Sequence, residues 1–400
     1  MEFVLYYRTS ARYSVGWIVN EGFKAALSTQ EQVFDAAVRE ELKGLHARIA
    51  PRFRRREVRD RARRYLVELL GPVERRTGPK MAGHMGEKTD DGVQRLLNKA
   101  RWDADAVRDD LRDYVVENLG DPSGVLVLTE IGFPKKGPKS AGVARQPNPT
   151  TGRDEDCQVG LFLAYSNLTP RGWAFIDRAL YLPEEWAEDE ARRREAGVPE
   201  EVTFATKGEL ARRMLGRAFE ANVPAAWVTG GETYGTDRRL RHWLEACGCS
   251  YVLEEGCSSV RPLVAGTWLP TIPGWEGHDL GGGAEHLDEL ERGMRRHERD
   301  IGRTRYLLVN RAVAQTGVYI RHGAYGPMQT PLRRMVELAN ARRAIEEGLE
   351  QAKDDVGLDQ YEVRRWNAWH RHVTLNLLAH AALQVTRARA QSGGGHPGPA

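Results

Sequence analysis

Apolar residues recur at helical spacing through the first third of the chain. One candidate helix spans 31–49 and is broken by Pro51. A second spans 54–71, with Val58, Ala62, Tyr65, Leu66, Leu69 and Leu70 on one side. Thr89, Asp90 or Asp91 can cap a third that runs through Leu97. Val107, Leu111, Tyr114 and Val115 mark a fourth between Asp103 and Asn118. From Val125 the period shortens. Val125–Leu128, Gln158–Tyr165, Trp173–Tyr181, Ala225–Val228 and Tyr251–Leu253 read as strands, with helices at Lys207–Asn222 and Asp237–Ala246 between them. Residues 254–330 hold Pro and Gly clusters and two further strand candidates, Arg305–Asn310 and Gly317–Arg321. Long helices follow at Pro331–Val356 and Asn367–Ala388, and Ser392–Ala400 is a Gly/Pro-rich stretch expected to be disordered. No internal repeat is evident.

This pattern divides the chain into a helical unit (1–120), an α/β layer built from 121–253 and 331–390, an intervening strand-and-loop insertion (254–330) and a tail (391–400). The 400 residues suffice for a large core, and their 41% apolar and 29% charged shares are those of a globular protein. No apolar run reaches the roughly 18 residues of a membrane span. Arg8 and Arg12 interrupt the N-terminal apolar stretch and no cleavage site follows, so the expected location is cytoplasmic, with no membrane partner.

Net charge is only +3 but is unevenly spread. Eight arginines lie between Arg52 and Arg64, among them Arg54, Arg55 and Arg56, against Glu57 and Asp60. Such a run suits a polyanion contact; it equally suits a solvated helix face with i,i+4 pairs. The four cysteines, Cys157, Cys247, Cys249 and Cys257, do not form a secreted-type disulfide framework. His242 with Cys247, Cys249 and Cys257 raises a zinc site, but C-x-C departs from the usual spacing and ordinary thiols fit better.

Three segments carry a resemblance. They are Val125-Leu126-Val127-Leu128-Thr129-Glu130-Ile131-Gly132-Phe133, Trp227-Val228-Thr229-Gly230-Gly231-Glu232-Thr233-Tyr234-Gly235, and a helix with Arg342, Glu346 and Lys353 spaced as R-x3-E-x6-K. With Lys135-Lys136-Gly137, Leu180-Tyr181-Leu182-Pro183, Arg194 to Pro199, Phe204 to Lys207 and Val356 to Arg364, they resemble the insertion sequence 701 family of bacterial DDE transposases over residues 50–385. The resemblance implies a ribonuclease H-like α/β fold with a helical N-terminal unit and a β-rich insertion. It also implies metal-dependent DNA cutting and joining, with DNA as partner and a homodimer as one compatible assembly. Two divalent ions would clamp the attacking and leaving oxygens, held by carboxylates converging from separate elements.

Glu346 matches the third acid of that family. Thr129 and Gly231 stand where it has its two aspartates. A threonine hydroxyl cannot neutralise a divalent ion and glycine offers no side chain, so a two-metal magnesium site is not expected and no metal ligand set is assigned. Glu130 and Glu232 are adjacent but point to the other strand face unless a bulge turns one of them round. The loss of two charges also suggests an anion pocket where Lys135, Lys136, Lys139, Arg145 and Lys353 gather, with Arg342 on the same helix.

Three functions follow. The first is a nucleic-acid-binding regulator or accessory protein without strand transfer. The second is an enzyme that reuses the vacated cleft on a small-molecule or carrier-bound substrate. The third is a transposase kept active by substitute ligands. For the second, Glu130, Glu232, Glu346 and Glu347 are candidate acids and bases, His370 and His372 candidate imidazoles, and Cys157 a candidate nucleophile. Packing in the last helix fits the two histidines better, and a core position fits Cys157 better. Trp227, Trp366 and Trp369 could stack on bases, but core packing suits each of them more.

Overall fold

A computed structural model describes residues 29–73, 75–168, 172–258, 267–268, 275–279, 303–311 and 319–393. The N-terminal unit begins with helices α1 (Thr29–Ile49) and α2 (Arg56–Leu69). Between them Pro51 sits in a single 3-10 turn. A short α3 (Gly78–His84) and α4 (Asp91–Gln94) follow, then α5 (Ala104–Leu119). α4 passes directly into a π turn at Arg95–Lys99, which is where a regular helix through Leu97 had been expected. Asp103 caps α5 by accepting hydrogen bonds from the backbone N–H groups of Asp105 and Ala106.

Next come β1 (Val125–Pro134), β2 (Ala144–Pro147), β3 (Asp154–Ser166) and β4 (Trp173–Leu180). β1 is longer than its apolar run, because it pairs antiparallel with β3 in unbroken register from Val125 with Ser166 to Pro134 with Cys157. α6 (Glu184–Glu188) and α7 (Glu190–Ala196) lead to α8 (Lys207–Glu220), which opens on a Thr206/Glu209 capping box. β5 (Trp227–Gly230), α9 (Glu232–Gly235), α10 (Arg238–Ala246) and β6 (Ser250–Ser258) complete the α/β layer. β5 runs parallel to both β1 and β6. The antiparallel β4–β3–β1 meander followed by parallel β5 and β6 is a ribonuclease H-like sheet.

The insertion is not a separate body among the described residues. β6 runs on past 253 to Ser258. There β10 (Tyr319–Pro327) pairs with it, and β9 (Arg303–Arg311), β8 (Trp275–Asp279) and β7 (Thr267–Trp268) extend the same sheet. The division expected at 254 therefore falls inside a strand. The entry segment before residue 29 and the tail after Gly393 lie outside the described residues.

Two helices close the chain. α11 (Leu332–Val356) packs on β1, β5 and β6 and ends at Gly357 in the left-handed conformation. α12 (Trp366–Gly393) packs on β4, α5, α1 and α2 and is buried on nearly every side from Ala368 to Thr386. That all-round burial explains why it carries no polar stripe. Adjacent residues of β4 show the two faces of the sheet. Asp177 hydrogen-bonds Arg217 of α8, at 2.9 Å, with the tip of Arg108 from α5 farther off at 3.6 Å, whereas Arg178 bonds Thr374 of α12 and Asp105 of α5. Helix α8 thus lies opposite the α11/α12 face. α10 joins it there, because both make right-handed crossovers between parallel strands progressing in one direction.

Candidate active-site cleft

Where β1 and β5 end, they frame a cleft of about 410 Å³. β1 supplies Leu128 to Ile131, the β5–α9 segment supplies Gly231 to Tyr234, and β6 supplies Glu254. α11 supplies Arg342, Glu346, Leu349, Glu350 and Lys353 at intervals that share one helix face. The structure therefore gathers Thr129, Gly231 and Glu346, residues far apart in sequence.

Arg342 organises the cleft. Its Nη1 donates to Glu346 Oε1 at 2.5 Å, and its Nη2 pairs with Glu254. A Cβ on Gly231 would meet that Nη1 at 3.1 Å, so the guanidinium borders the space a side chain at 231 would enter. Burial pushes the Glu346 carboxyl above its usual range; Arg342 opposes this and nearby Glu254 adds to it.

The neighbouring glutamates look elsewhere. The β1 ladder shows no bulge, so Glu130 faces away from Thr129 and meets Lys207 Nζ at 2.5 Å. It also lies beside Tyr234, whose phenol burial and then the Glu130 charge hold protonated. Glu232 starts α9, with its Oε1 2.7 Å from where a Gly256 Cβ would lie. α9 itself presses on β6, since a Cβ on Gly235 would stand 1.8 Å from the Glu254 carbonyl oxygen. Thr129 is only 4% exposed.

The expected basic pocket is not assembled. Lys353 lines the cleft but pairs with Glu350 at 2.6 Å. Lys135 folds over the ring of Tyr361, 3.6 Å from its centroid, where burial pulls its pKa down to about 8. Lys136 is exposed, Lys139 pairs with Glu195 at 3.3 Å, and Arg145 is exposed on β2 opposite Asp156. The turn after β1 sends these neighbours in different directions. Of the cleft glutamates, Glu254 and Glu346 share Arg342 and Glu350 holds Lys353, so its side chains leave no net positive charge for an anion.

The remaining candidates sit in packing. His372 bonds Tyr65 Oη at 2.8 Å, His370 lies between Trp366 and Trp369, and burial pulls each imidazole down to about 3. Trp369 donates to Tyr361 Oη at 3.0 Å from full burial, Trp227 is buried, and Trp366 is half-buried. Cys157 is buried with its thiol pushed up to about 11 by burial. Glu347 is exposed on α11 outside the cleft lining. Cys247 and Cys257 are exposed, while Cys249 donates to the Ser250 carbonyl at 3.5 Å. Among the described residues no group of three or more His, Cys, Asp or Glu is placed to hold a metal.

The basic run is largely engaged. Arg52 makes a bidentate pair with Asp110 at 2.7 and 2.8 Å, Arg61 and Arg64 share Glu87, and Arg56 lies 3.7 Å from Asp60. Arg54, Arg55 and Arg63 remain exposed to solvent. Glu254, which sequence alone did not single out, enters the cleft because β6 runs parallel beside β5.

The DDE superfamily endonuclease family matches residues 48–266, more than half of the 400-residue chain. The chain belongs to that DDE endonuclease family. The match takes in β1, β5 and their cleft-facing ends, and stops before α11. Among solved structures, the DDE chain is similar to one described as a piggyBac transposase synaptic complex with hairpin DNA. The identity is 11% and the TM-score 0.38, over 91% of this chain and 74% of that one. A search of the curated proteins returns no match. Among the described residues no helix is long and apolar enough to cross a membrane.

Proposed function

We propose that this DDE-family chain is a relative of the insertion sequence 701 transposases that has lost metal-dependent strand transfer and acts as a nucleic-acid-binding regulator or accessory protein. The observation that carries this reading is the position of Arg342 against Gly231 and Glu346. A pair of hard divalent ions needs several free carboxylate oxygens converging on it. Here Thr129 offers a hydroxyl and Gly231 nothing. Glu346 and Glu254 are both held by Arg342, and Glu130 is held by Lys207 on the other sheet face. The residues present do not fit two such ions. A single guanidinium supplies the cleft's inner positive charge instead.

Family membership and the exposed Arg54, Arg55 and Arg63 support retained nucleic-acid contact. The test has two parts, both using the full chain. Incubated with transposon-end DNA and magnesium or manganese, it is expected to give no joined product, while mobility shifts at low salt give a complex that weakens as salt rises. Joined product, or no complex even at low salt, would overturn the corresponding half of the reading.

A further inference from the structure

Helices α8 and α10 lie side by side on the sheet face opposite α11. Asp237, the cap of α10, packs where α8 begins, since a Cβ on Gly208 would meet its Oδ2 at 1.7 Å. Farther along, Phe219 and Trp243 stack with ring centroids 5.6 Å apart and planes 14° apart, which fixes the two helices to each other. Their basic residues divide cleanly. Lys207 pairs with Glu130, Arg217 with Asp177, and Arg241 with Glu255. Arg212 and Arg213 on α8, and Arg238 and Arg239 on α10, are exposed and have no ion-pair partner among the described residues.

The acids that could neutralise this ridge are mostly occupied. Glu209 closes the capping box with Thr206 while its charge still acts on Arg213 and Arg212, and Asp237 caps α10 through the Leu240 N–H. Glu245 is buried and held by Arg305 and Tyr251. Only Glu220 stays exposed, at the far end of α8. Four exposed guanidiniums outside any direct ion pair, on a rigid two-helix base, favour phosphate oxygens, which a planar fork can grip with two hydrogen bonds. By comparison, four of the eight arginines between Arg52 and Arg64 are drawn into ion pairs.

We infer that the α8/α10 ridge is a second nucleic-acid-binding surface, one that holds duplex phosphates on the face away from the Glu346 cleft. It rests on the nucleic-acid reading above but not on α2. The test is fluorescence anisotropy of the full chain on a labelled mixed-sequence DNA duplex across a salt series. Three variants are compared: R212E/R213E/R238E/R239E, the same four positions changed to lysine, and R54E/R55E/R63E in and just before α2. Each phosphate contact contributes about 0.9 to the slope of log affinity on log salt. The glutamate ridge variant is expected to bind more than tenfold more weakly and to lower that slope by about 3, with an unchanged melting curve. The lysine variant is expected to keep the slope. An unchanged slope in the glutamate variant overturns the ridge, whatever the α2 variant does. Loss of binding confined to the α2 variant overturns the ridge and leaves the general reading standing. Binding of a polyglutamate peptide in place of the duplex overturns it in favour of an acidic protein partner. If the glutamate variant melts early, the lysine variant decides together with the pairs R212E/R213E and R238E/R239E. Two additive partial losses of slope support the ridge, and none overturns it.

Discussion

Arg342 Nη1 lies 3.1 Å from the point where a Cβ on Gly231 would stand, while the same nitrogen donates to Glu346. A side chain introduced at 231 would therefore meet a guanidinium before it met any ion. The first prediction follows. Gly231→Asp alone is expected to be accommodated, because the crowding atom is the end of a flexible side chain, and to pair with Arg342 without creating measurable manganese affinity. Thr129→Asp with Gly231→Asp adds two carboxylates and is expected to raise manganese affinity at least tenfold, about 1.4 kcal/mol, by calorimetry. Tight binding by the single variant would show that Arg342 does not hold the introduced acid.

Removing Arg342 tests the same relationship from the other side. In Arg342→Gln, Glu346 loses the charge that opposes its burial, so its already raised pKa is expected to rise further. The native state then binds a proton that the unfolded chain does not. The associated stability is fully present below the unfolded glutamate pKa and is lost as pH rises through the folded one. The variant should therefore be closest to the parent in acid and fall behind towards neutral pH. The Glu346 side chain is 40% exposed, so the loss is limited to about 1 kcal/mol. Melting curves at several pH values check the sign, and an equal deficit at every pH would refute the linkage.

Much of this arrangement was legible in the sequence, and the gaps have physical causes. Strands β1 and β5 and helix α11 announced themselves, because buried parallel strands read as apolar runs and α11 keeps its cleft residues on one face. The gathering of Thr129, Gly231 and Glu346 followed from the resemblance and matches the cleft. The basic pocket did not follow, because residues close in sequence after a strand end diverge at the turn, and Lys135 folds over the Tyr361 ring. The short α3, α6, α7 and α9 were missed, since four to seven residues carry no readable period. The sequence pattern also could not show that β6 continues into the insertion, because pairing with β10 is a long-range event.

The histidines of α12 should govern acid stability. Burial pulls His370, His372 and His380 down to about 3. Between that value and the unfolded pKa near ~6.5, the unfolded chain binds protons that the native helix refuses. Stability is thus expected to fall as pH drops below about 6.5. With His322 of β10, which burial also pulls down to about 3, the slope should approach four protons in denaturant titrations, and His380→Leu should reduce it by one. Tyr65→Phe removes the 2.8 Å bond to His372 and should cost about 1 kcal/mol without altering the slope. A flat profile between pH 4 and 7 would contradict the buried, neutral state of these rings.

The charge cluster at β4 joins the helical unit to the sheet. Asp177, 5% exposed in its side chain, lies 2.9 Å from Arg217 of α8 and 3.6 Å from Arg108 of α5. Arg178, 2% exposed, reaches Asp105 of α5 at 2.8 Å and Thr374 of α12 at 2.9 Å. Burial alone would raise the Asp105 carboxyl, but Arg178 and Arg108 outweigh it and hold it down at about 2. Cutting one member leaves buried opposite charges unmatched, which typically costs more than the pair contributed. Asp177→Asn is therefore expected to destabilise by about 3 kcal/mol, and Asp177→Asn with Arg108→Met by less than the sum of the single changes. Because two elements of the sheet layer and two helices meet here, the loss should appear as one cooperative transition, in which the N-terminal helices and the sheet melt together. Hydrogen exchange that showed the helices opening alone in the variant would mean the cluster does not couple them.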